Sequence, residues 1–479
     1  MSCTSIIART GRVQSWLDDP TSRLPVSCTV FSVEDSFSGP NGIDSSIRFT
    51  SFALRHGAGV AIHLSKLRPK GTENGKGLVA SGPVSFAKIY SVLNEVLRRG
   101  GVYRQGAITL HLSIDHADIL EFINAPREDL PWCKRCVDLT PVMWFESSRE
   151  VKDAILQGLR NGDIWLQKIK YKDNHFKGER LYGNVCLEIY LDSRGTCLLE
   201  HLNLGACEVG DIRKAFVDGM VDLCSLHGKT GVGDQGEYLK PDQDRQVGLG
   251  VLGLANLLAR HNVTYKEFGR QLEILAWGGK PSDNAAGVLA TEIEAGINAA
   301  AEVARNNKME RAFCIAPTAT CSYEYKDLDG YTTAPEISPP LAKEVDRDSG
   351  TRGVDSYNYG PNIEIAADVG WGDFKRVADG LVKIYEKTGL FHGYSLNTWS
   401  DLVTYDDAFV EEFLRSPQTS LYYSLQVRPD ILRKDDATAD LEEEYVGIFD
   451  PVAFENFESE KAEESSTECT PDFCPSCAE

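Results

Sequence analysis

Asn184, Cys186 and Glu188 occupy alternate positions in the segment Asn184-Val185-Cys186-Leu187-Glu188. In extended backbone, alternate side chains share a face. The spacing therefore predicts an amide, a thiol and a carboxylate projecting together, with Val185 and Leu187 pointing the other way. A carboxylate beside a thiol raises the thiol pKa by like-charge repulsion, the wrong direction for a thiolate nucleophile. Chemistry at Cys186 should therefore use the neutral S–H. The rival reading is a half-buried strand carrying an incidental cysteine.

Other groups of residues also invite chemistry. Cys474 and Cys477 form a Cys-x-x-Cys pair close to the C-terminus, with Cys469 nearby. On an acidic, Ser-rich segment such a pair is either a mobile dithiol for disulfide exchange or part of a zinc site. Cys133 and Cys136 would complete four zinc ligands, or are unrelated surface thiols; exchange is the preferred reading. Gly248-Leu-Gly250-Val-Leu-Gly253 matches the dinucleotide fingerprint but falls within a helical pattern rather than after a buried strand, so its glycines are expected to permit close helix packing. Ala316-Pro317-Thr318-Ala319-Thr320-Cys321-Ser322 follows a short apolar run, an arrangement that presents backbone N–H groups to phosphate or simply caps a helix. Tyr422 and Tyr423 are adjacent, and aromatic pairs of this kind usually pack.

The elements that must position these residues read as strands at Val26–Val33, Gly59–Leu64, Ala107–Ser113, Val137–Trp144 and Cys314–Ala316. Helical periodicity recurs at Pro83–Arg98, Glu150–Asn161, Ile212–Leu226, Arg245–His261, Thr291–Asn307 and Trp371–Thr388. Strands separated by helices imply a mainly parallel sheet, open or closed into a barrel. The 479 residues suffice for a sizeable core, and the formal charge of −21 argues against non-specific nucleic-acid binding. Between Asp435 and Glu479 lie 15 acids and one lysine, a balance of −14, which leaves −7 for the preceding 434 residues. The composition changes after about Leu432, so the expectation is a folded body over 1–432 and a flexible acidic tail over 433–479. The longest apolar stretch, Val247 to Ala259, is shorter than the roughly 20 residues a membrane span needs, and no signal peptide is expected at the start. Thirteen cysteines, an odd number without export signals, point to metal, redox or catalytic use rather than a disulfide framework.

Taken in order along the chain, these segments resemble the catalytic large subunit of class I ribonucleotide reductases. Asn184-x-Cys186-x-Glu188 is similar to the family's finger-loop motif. Cys197-Leu-Leu-Glu-His-Leu-Asn-Leu-Gly205 and Ser27-Cys28, within Leu-Pro-Val-Ser-Cys-Thr-Val, resemble its two redox-cysteine segments. Arg68-Pro-Lys-Gly71, Ala80-Ser-Gly-Pro83, Gly100-Gly-Val-Tyr-Arg-Gln-Gly-Ala107 and Asp115-His-x-Asp-Ile-x-Glu-Phe122 match its nucleotide-loop region. Val247-Gly-Leu-Gly-Val-x-Gly253 and Ala316-Pro-Thr-x-Thr320 complete the series.

The resemblance implies a ten-stranded α/β barrel of the ribonucleotide reductase and glycyl-radical type with a central finger loop. It implies reduction of ribonucleotides to 2′-deoxyribonucleotides, with Cys186 as thiyl radical, Glu188 as base and Asn184 holding the substrate. Cys28 and Cys197 would supply two electrons and close to a disulfide. Cys474 and Cys477 would reopen it and be reset by thioredoxin or glutaredoxin. Ser27 and residues Pro317, Thr318, Ala319, Thr320, Cys321 and Ser322 would bind substrate. Asp35, Lys66, Arg68 and Arg104 would bind a dNTP or ATP effector. Tyr422 and Tyr423 would relay the radical from a ferritin-like, metal-containing small subunit, so this chain itself would bind no cofactor and no metal. The form implied is the short, phage-type one lacking an N-terminal ATP-cone, a homodimer, cytoplasmic (in the host cell if phage-encoded), with no membrane or direct nucleic-acid contact. Two alternatives stay open: an adenosylcobalamin-dependent class II enzyme, and a non-catalytic half of a split reductase.

Overall fold

The computed structural model of the chain describes residues 4–18, 25–73, 75–97, 107–172, 178–229, 231–233, 235–348 and 354–427. The expected boundary at 432/433, the tail cysteines Cys469, Cys474 and Cys477, and Arg104 lie outside the described residues.

Ten strands form the barrel: β1 (Cys28–Ser32), β2 (Gly59–His63), β3 (Ile108–Ser113), β4 (Lys134–Leu139), β5 (Ile164–Lys168), β6 (Leu199–Asn203), β7 (Gln246–Leu252), β8 (Arg311–Ile315), β9 (Phe391–Trp399) and β10 (Ser420–Leu425). Within β1–β5, and again within β6–β10, consecutive strands are parallel neighbours. The two halves meet antiparallel where Ser420 of β10 faces Gln167 of β5 and Leu421 faces Leu166. The other edges close through a bridge between Thr29 and Thr196, where the Cys197 N–H donates to the Cys28 carbonyl at 2.8 Å and the Ser27 N–H to the Cys197 carbonyl at 3.2 Å. A short strand, Ile7–Arg9, adds antiparallel to β6 and makes the sheet eleven-stranded. The ten-stranded α/β barrel is thus present with one strand added.

Helices Ile43–Arg55, Pro83–Val96 and Arg149–Arg160 accompany the first half, and Ile212–His227, Ala285–Asn306 and Ala366–Lys387 the second. Strands covered on both faces bury every residue, as β1, β2 and β3 do. On β1 the alternation sends Phe31 into the outer core beneath the helices, and Cys28 and Val30 into a separate inner cluster with Val185, Ile189, Cys197 and Cys314. Among the described residues no helix is long and apolar enough to cross a membrane.

Two expected elements are corrected. The helix expected at Arg245–His261 is strand β7 followed by a short helix, Leu254–Arg260, with Gly253 in the left-handed region between them. A strand buried on both faces lacks alternation, so an apolar run with spaced glycines imitates a helical period. The glycines do serve packing, though in a strand: a Cβ on Gly248 would lie 2.4 Å from Leu199 Cδ2 and 2.9 Å from Cys314 Sγ. Likewise Val137–Trp144 divides into β4 and a helix, Pro141–Glu146, whose Thr140 cap accepts from the Met143 N–H at 3.3 Å.

The Gly248 contacts generate a stability prediction. Gly248→Ala should cost about 1–3 kcal/mol of unfolding free energy through overpacking, read by urea titration. Gly210→Ala, where nothing lies within 4 Å of the new Cβ, should change stability by less than about 0.5 kcal/mol. Equal effects at the two positions would contradict the packing account.

Candidate active site

The finger loop begins at strand Arg180–Gly183, which pairs antiparallel with Tyr190–Leu191. The six residues between them form a tight turn rather than the expected extended strand. The Asn184 N–H donates to the Ile189 carbonyl at 2.9 Å, the Leu187 N–H to the Asn184 carbonyl at 3.2 Å, and the Ile189 N–H to Asn184 Oδ1 at 3.1 Å. Leu187 has φ of +69°, which costs a side-chain-bearing residue about 1–2 kcal/mol. Alternation is broken there, so Asn184, Cys186 and Glu188 come together through the turn and not along a strand.

Barrel side chains hold this turn by its carbonyls. His63 Nε2 of β2 lies 2.9 Å from the Gly183 oxygen, and Thr109 Oγ1 of β3 donates to Val185 at 3.0 Å. Ser395 Oγ of β9 donates to the Cys186 carbonyl, and Gln167 Nε2 of β5 to Leu187 at 3.0 Å. A Cβ on Gly183 would sit 1.7 Å from Gln167 Oε1 and displace the amide that holds Leu187.

Three thiols meet at the turn. Cys28 is in hydrogen-bonding contact with both Cys186 and Cys197, and Asn184 Nδ2 donates to Cys197 Sγ at 3.4 Å. Continuing the Thr29–Thr196 register sets Cys28 opposite Cys197. Directly opposed residues in an antiparallel pair have Cα atoms about 4.5–5.5 Å apart, within disulfide reach. All three are free thiols. The bond with Cys186 favours ionisation of Cys28, but the contact with Cys197 and burial outweigh it and hold the thiol well above its ordinary pKa. Contact with Cys28, burial and the charge of Glu188 do the same for Cys186, and burial pushes Cys197 up to about 12. Burial also raises Glu188 to about 7, against hydrogen bonds from its backbone, Asn184 and Ser395.

On the opposite side Leu187 packs with Cys136, Trp165, Tyr422 and Tyr423. The Tyr422 hydroxyl is in hydrogen-bonding contact with Cys186. The Tyr422 and Tyr423 rings are 4.4 Å apart and T-shaped, and Trp165 lies 4.4 Å from Tyr422.

The remaining expected residues fall elsewhere. Ser27 is half-buried beside Cys28. Pro317 and Thr318 follow β8, and Ala319, Thr320, Cys321 and Ser322 form one helical turn. Thr318 is engaged by a buried carboxylate: its N–H and hydroxyl donate to Glu336 Oε2 at 3.3 and 3.1 Å, and Cys321 Sγ donates to the Arg9 carbonyl at 3.6 Å. Arg68 Nε donates to Asp35 Oδ2 at 2.7 Å, whereas Lys66 pairs with the adjacent Glu34 at 2.6 Å. Cys133 and Cys136 are not a surface pair. Three positions apart on an extended segment they face opposite ways, Cys133 toward the outer core and Cys136 fully buried beside Trp165.

Sequence reasoning missed the residues that hold the turn, His63, Thr109, Gln167 and Ser395, and also missed Trp165, Glu336 and a buried cluster of His63, His111 and Asp138. The cluster's ligand atoms lie within 4.8 Å of one another. Arg180 already donates to Asp138 Oδ2 at 2.7 Å, and His111 Nδ1 lies 2.8 Å from Oδ1. Burial alone would raise Asp138, but His111, His63 and Arg180 pull it below the ordinary carboxylate range. The carboxylate is thus paired with the Arg180 guanidinium and held by the two imidazoles, and through Arg180 and His63 the cluster braces the base of the finger loop.

Glu188 gives a pH prediction. Because its folded pKa lies above the unfolded value near 4.5, its contribution is full below about pH 4.5 and is lost as pH rises through about 7. Relative to wild type, Glu188→Gln should lose about 3 kcal/mol of the fall in unfolding free energy between pH 4.5 and 7.5, measured by urea unfolding at both pH values. An unchanged pH slope would contradict the buried carboxyl.

Comparison with known proteins agrees with this geometry. Residues 26–149 match the family model for the ribonucleotide reductase barrel domain. The chain is 29% identical over 287 residues to a vitamin B12-dependent ribonucleoside-diphosphate reductase of Mycobacterium tuberculosis, covering 50% of this chain and 40% of that protein. It is also 29% identical over 167 residues to a ribonucleoside-diphosphate reductase subunit alpha of Helicobacter pylori, covering 35% of this chain and 20% of that one. These alignments span less than half the length of either relative. The fold matches the Actinobacillus ureae class Id ribonucleotide reductase alpha subunit with a TM-score of 0.61 at 15% identity, covering 88% of this chain and 87% of that one. Residues 26–149 are thus similar to the ribonucleotide reductase barrel domain, and the fold as a whole is that of a ribonucleotide reductase alpha subunit.

Proposed function

We propose that the chain is the catalytic subunit of a ribonucleoside-diphosphate reductase. The observation that carries this is the contact of Cys28, Cys186 and Cys197 around a turn inside a closed barrel. Cys186 as a thiyl radical abstracts the 3′ hydrogen of the ribose, which requires a thiol that stays protonated, as burial and Glu188 keep it. Glu188, poised near neutrality, takes the 3′-hydroxyl proton as the 2′-hydroxyl leaves as water. Asn184 orients the substrate. Cys28 and Cys197 together supply two electrons and two protons and close to a disulfide, and Cys186 returns its hydrogen atom to C3′ of the product and becomes the thiyl radical again. Cys474 and Cys477 reopen that disulfide by exchange, and thioredoxin or glutaredoxin resets them.

Substrate phosphates meet the Pro317–Ser322 turn and Ser27, and a dNTP or ATP effector meets Asp35, Lys66, Arg68 and Arg104. An exposed apolar stripe on helix Pro83–Val96, Ile89, Val92 and Val96, at 39%, 56% and 71% exposure, supports a homodimer beside that effector surface. The contact between Tyr422 and Cys186 favours a class I route, with the radical passed along the tyrosines from a ferritin-like small subunit. The vitamin B12-dependent relatives favour a class II reading, in which adenosylcobalamin supplies the radical.

Cys186→Ser should abolish deoxynucleotide formation while leaving thermal unfolding unchanged; retained turnover would end the assignment. Turnover should need a metal-loaded small subunit and be lost in Tyr422→Phe, whereas turnover with adenosylcobalamin alone would transfer the chain to class II. Replacing Cys474 and Cys477 by serine should spare one turnover and block repeated turnover with thioredoxin. Unaffected multiple turnover would remove their shuttle role.

A further inference from the structure

Lys168 ends β5 and Lys170 follows it, Lys383 lies on helix Ala366–Lys387, and Arg415 ends helix Asp407–Arg415. Together they line an open groove of about 300 Å³ whose one acid is Glu386. The groove shares Lys383 and Pro417 with a neighbouring cavity of about 540 Å³ walled by Trp277. Arg415 is paired with Glu411 at 3.6 Å, which leaves three lysines against Glu386, a positive patch in a chain of net charge −21.

The charge of Glu386 reaches all three lysines but makes no ion-pair contact with them. Among the described residues no carboxylate pairs with Lys168, Lys170 or Lys383. Lys168 Nζ donates to the Ser416 carbonyl and Lys170 Nζ to the His392 carbonyl, each at 2.7 Å. An ammonium has three donors, so two remain on each. Their other neighbours are rings: Phe413 at 4.8 Å from Lys168, Tyr190 at 5.0 Å from Lys170, and Trp277 at 4.1 Å from Lys383. Ring faces attract a cation without neutralising it, and burying an unneutralised charge is costly. Burial accordingly lowers both Lys168 and Lys170 to about 8.

We propose that this groove binds a phosphate-bearing anion, orthophosphate or pyrophosphate, either free or as the phosphate chain of a nucleotide. Converging lysine donors and an arginine fork suit an anion with several acceptor oxygens, and the volume is that of a small-ligand pocket. The groove lies on elements separate from the Pro317–Ser322 turn and from Asp35 and Arg68. It touches the finger loop's exit, because the Tyr190 hydroxyl donates to the Lys168 carbonyl at 2.6 Å.

The test is calorimetric titration of the purified full chain with sodium pyrophosphate, with parallel ATP and orthophosphate arms. Lys168→Met and Lys383→Met should each weaken pyrophosphate binding about tenfold, the scale of one charge-assisted hydrogen bond. Glu386→Gln, which removes the competing carboxylate, should tighten it. Affinity should also fall from pH 7 to pH 9 as the lysines lose protons. Lys170 faces Glu386 and Arg311, and Lys168 faces Glu386, Lys170, Asp379 and Lys375. Tighter ATP binding that reverts in Trp277→Ala identifies a nucleotide with its base at Trp277; equal affinities identify the phosphate group alone. Both support the site. No pyrophosphate binding at millimolar concentration, or affinity unchanged in both Lys383→Met and Glu386→Gln, would overturn it. These two variants alter half-buried and exposed side chains and keep the test valid should Lys168→Met misfold.

Discussion

The structure depends on one constraint: a strained turn held inside a barrel by side chains from four of its strands. The carbonyls of Gly183, Val185, Cys186 and Leu187 meet β2, β3, β9 and β5 in turn. No single hydrogen bond of about 1 kcal/mol holds Leu187 in the left-handed region. Four of them exceed its conformational cost, provided that the strands stay in register. The barrel is therefore the device that fixes the position of Cys186, and the antiparallel contacts closing its two halves are part of the site. Cys28 and Cys197 lie at one of those seams, so the closure that completes the barrel also brings that pair together.

The dry interior then sets the chemistry. Burial holds the three thiols protonated and leaves Glu188 near neutrality, the combination that hydrogen-atom transfer with acid–base assistance uses. The charged groups near the turn are matched, with Asp138 paired to Arg180 and flanked by His63 and His111. The same pairing ties strand Arg180–Gly183 to β4, so electrostatic satisfaction and loop placement come from the same contacts.

Part of the candidate site was legible from spacing alone, since Asn184, Cys186 and Glu188 form a chemically distinctive triplet. Cys28, Cys197 and a role for the tyrosine pair came only from the family resemblance, because nothing local marks them. The α/β class was legible from strands such as Gly59–His63 and helices such as Ile212–His227, whose patterns are regular. β7 was not, because burial on both faces erases alternation and its glycines imitate a helical period. The turn at Asn184–Ile189 was hidden by a positive φ at a leucine, which no local preference announces. Ser395, Gln167 and Thr109 carry no sequence signal, since their role comes from strands distant in the chain that meet only on closure.

The most direct measurement of the central claim is a single-turnover reaction without external reductant, followed by peptide mapping of the disulfides. The account predicts a Cys28–Cys197 disulfide formed in step with deoxynucleotide. Deoxynucleotide formed with both thiols still free, or with the disulfide at other cysteines, would contradict it.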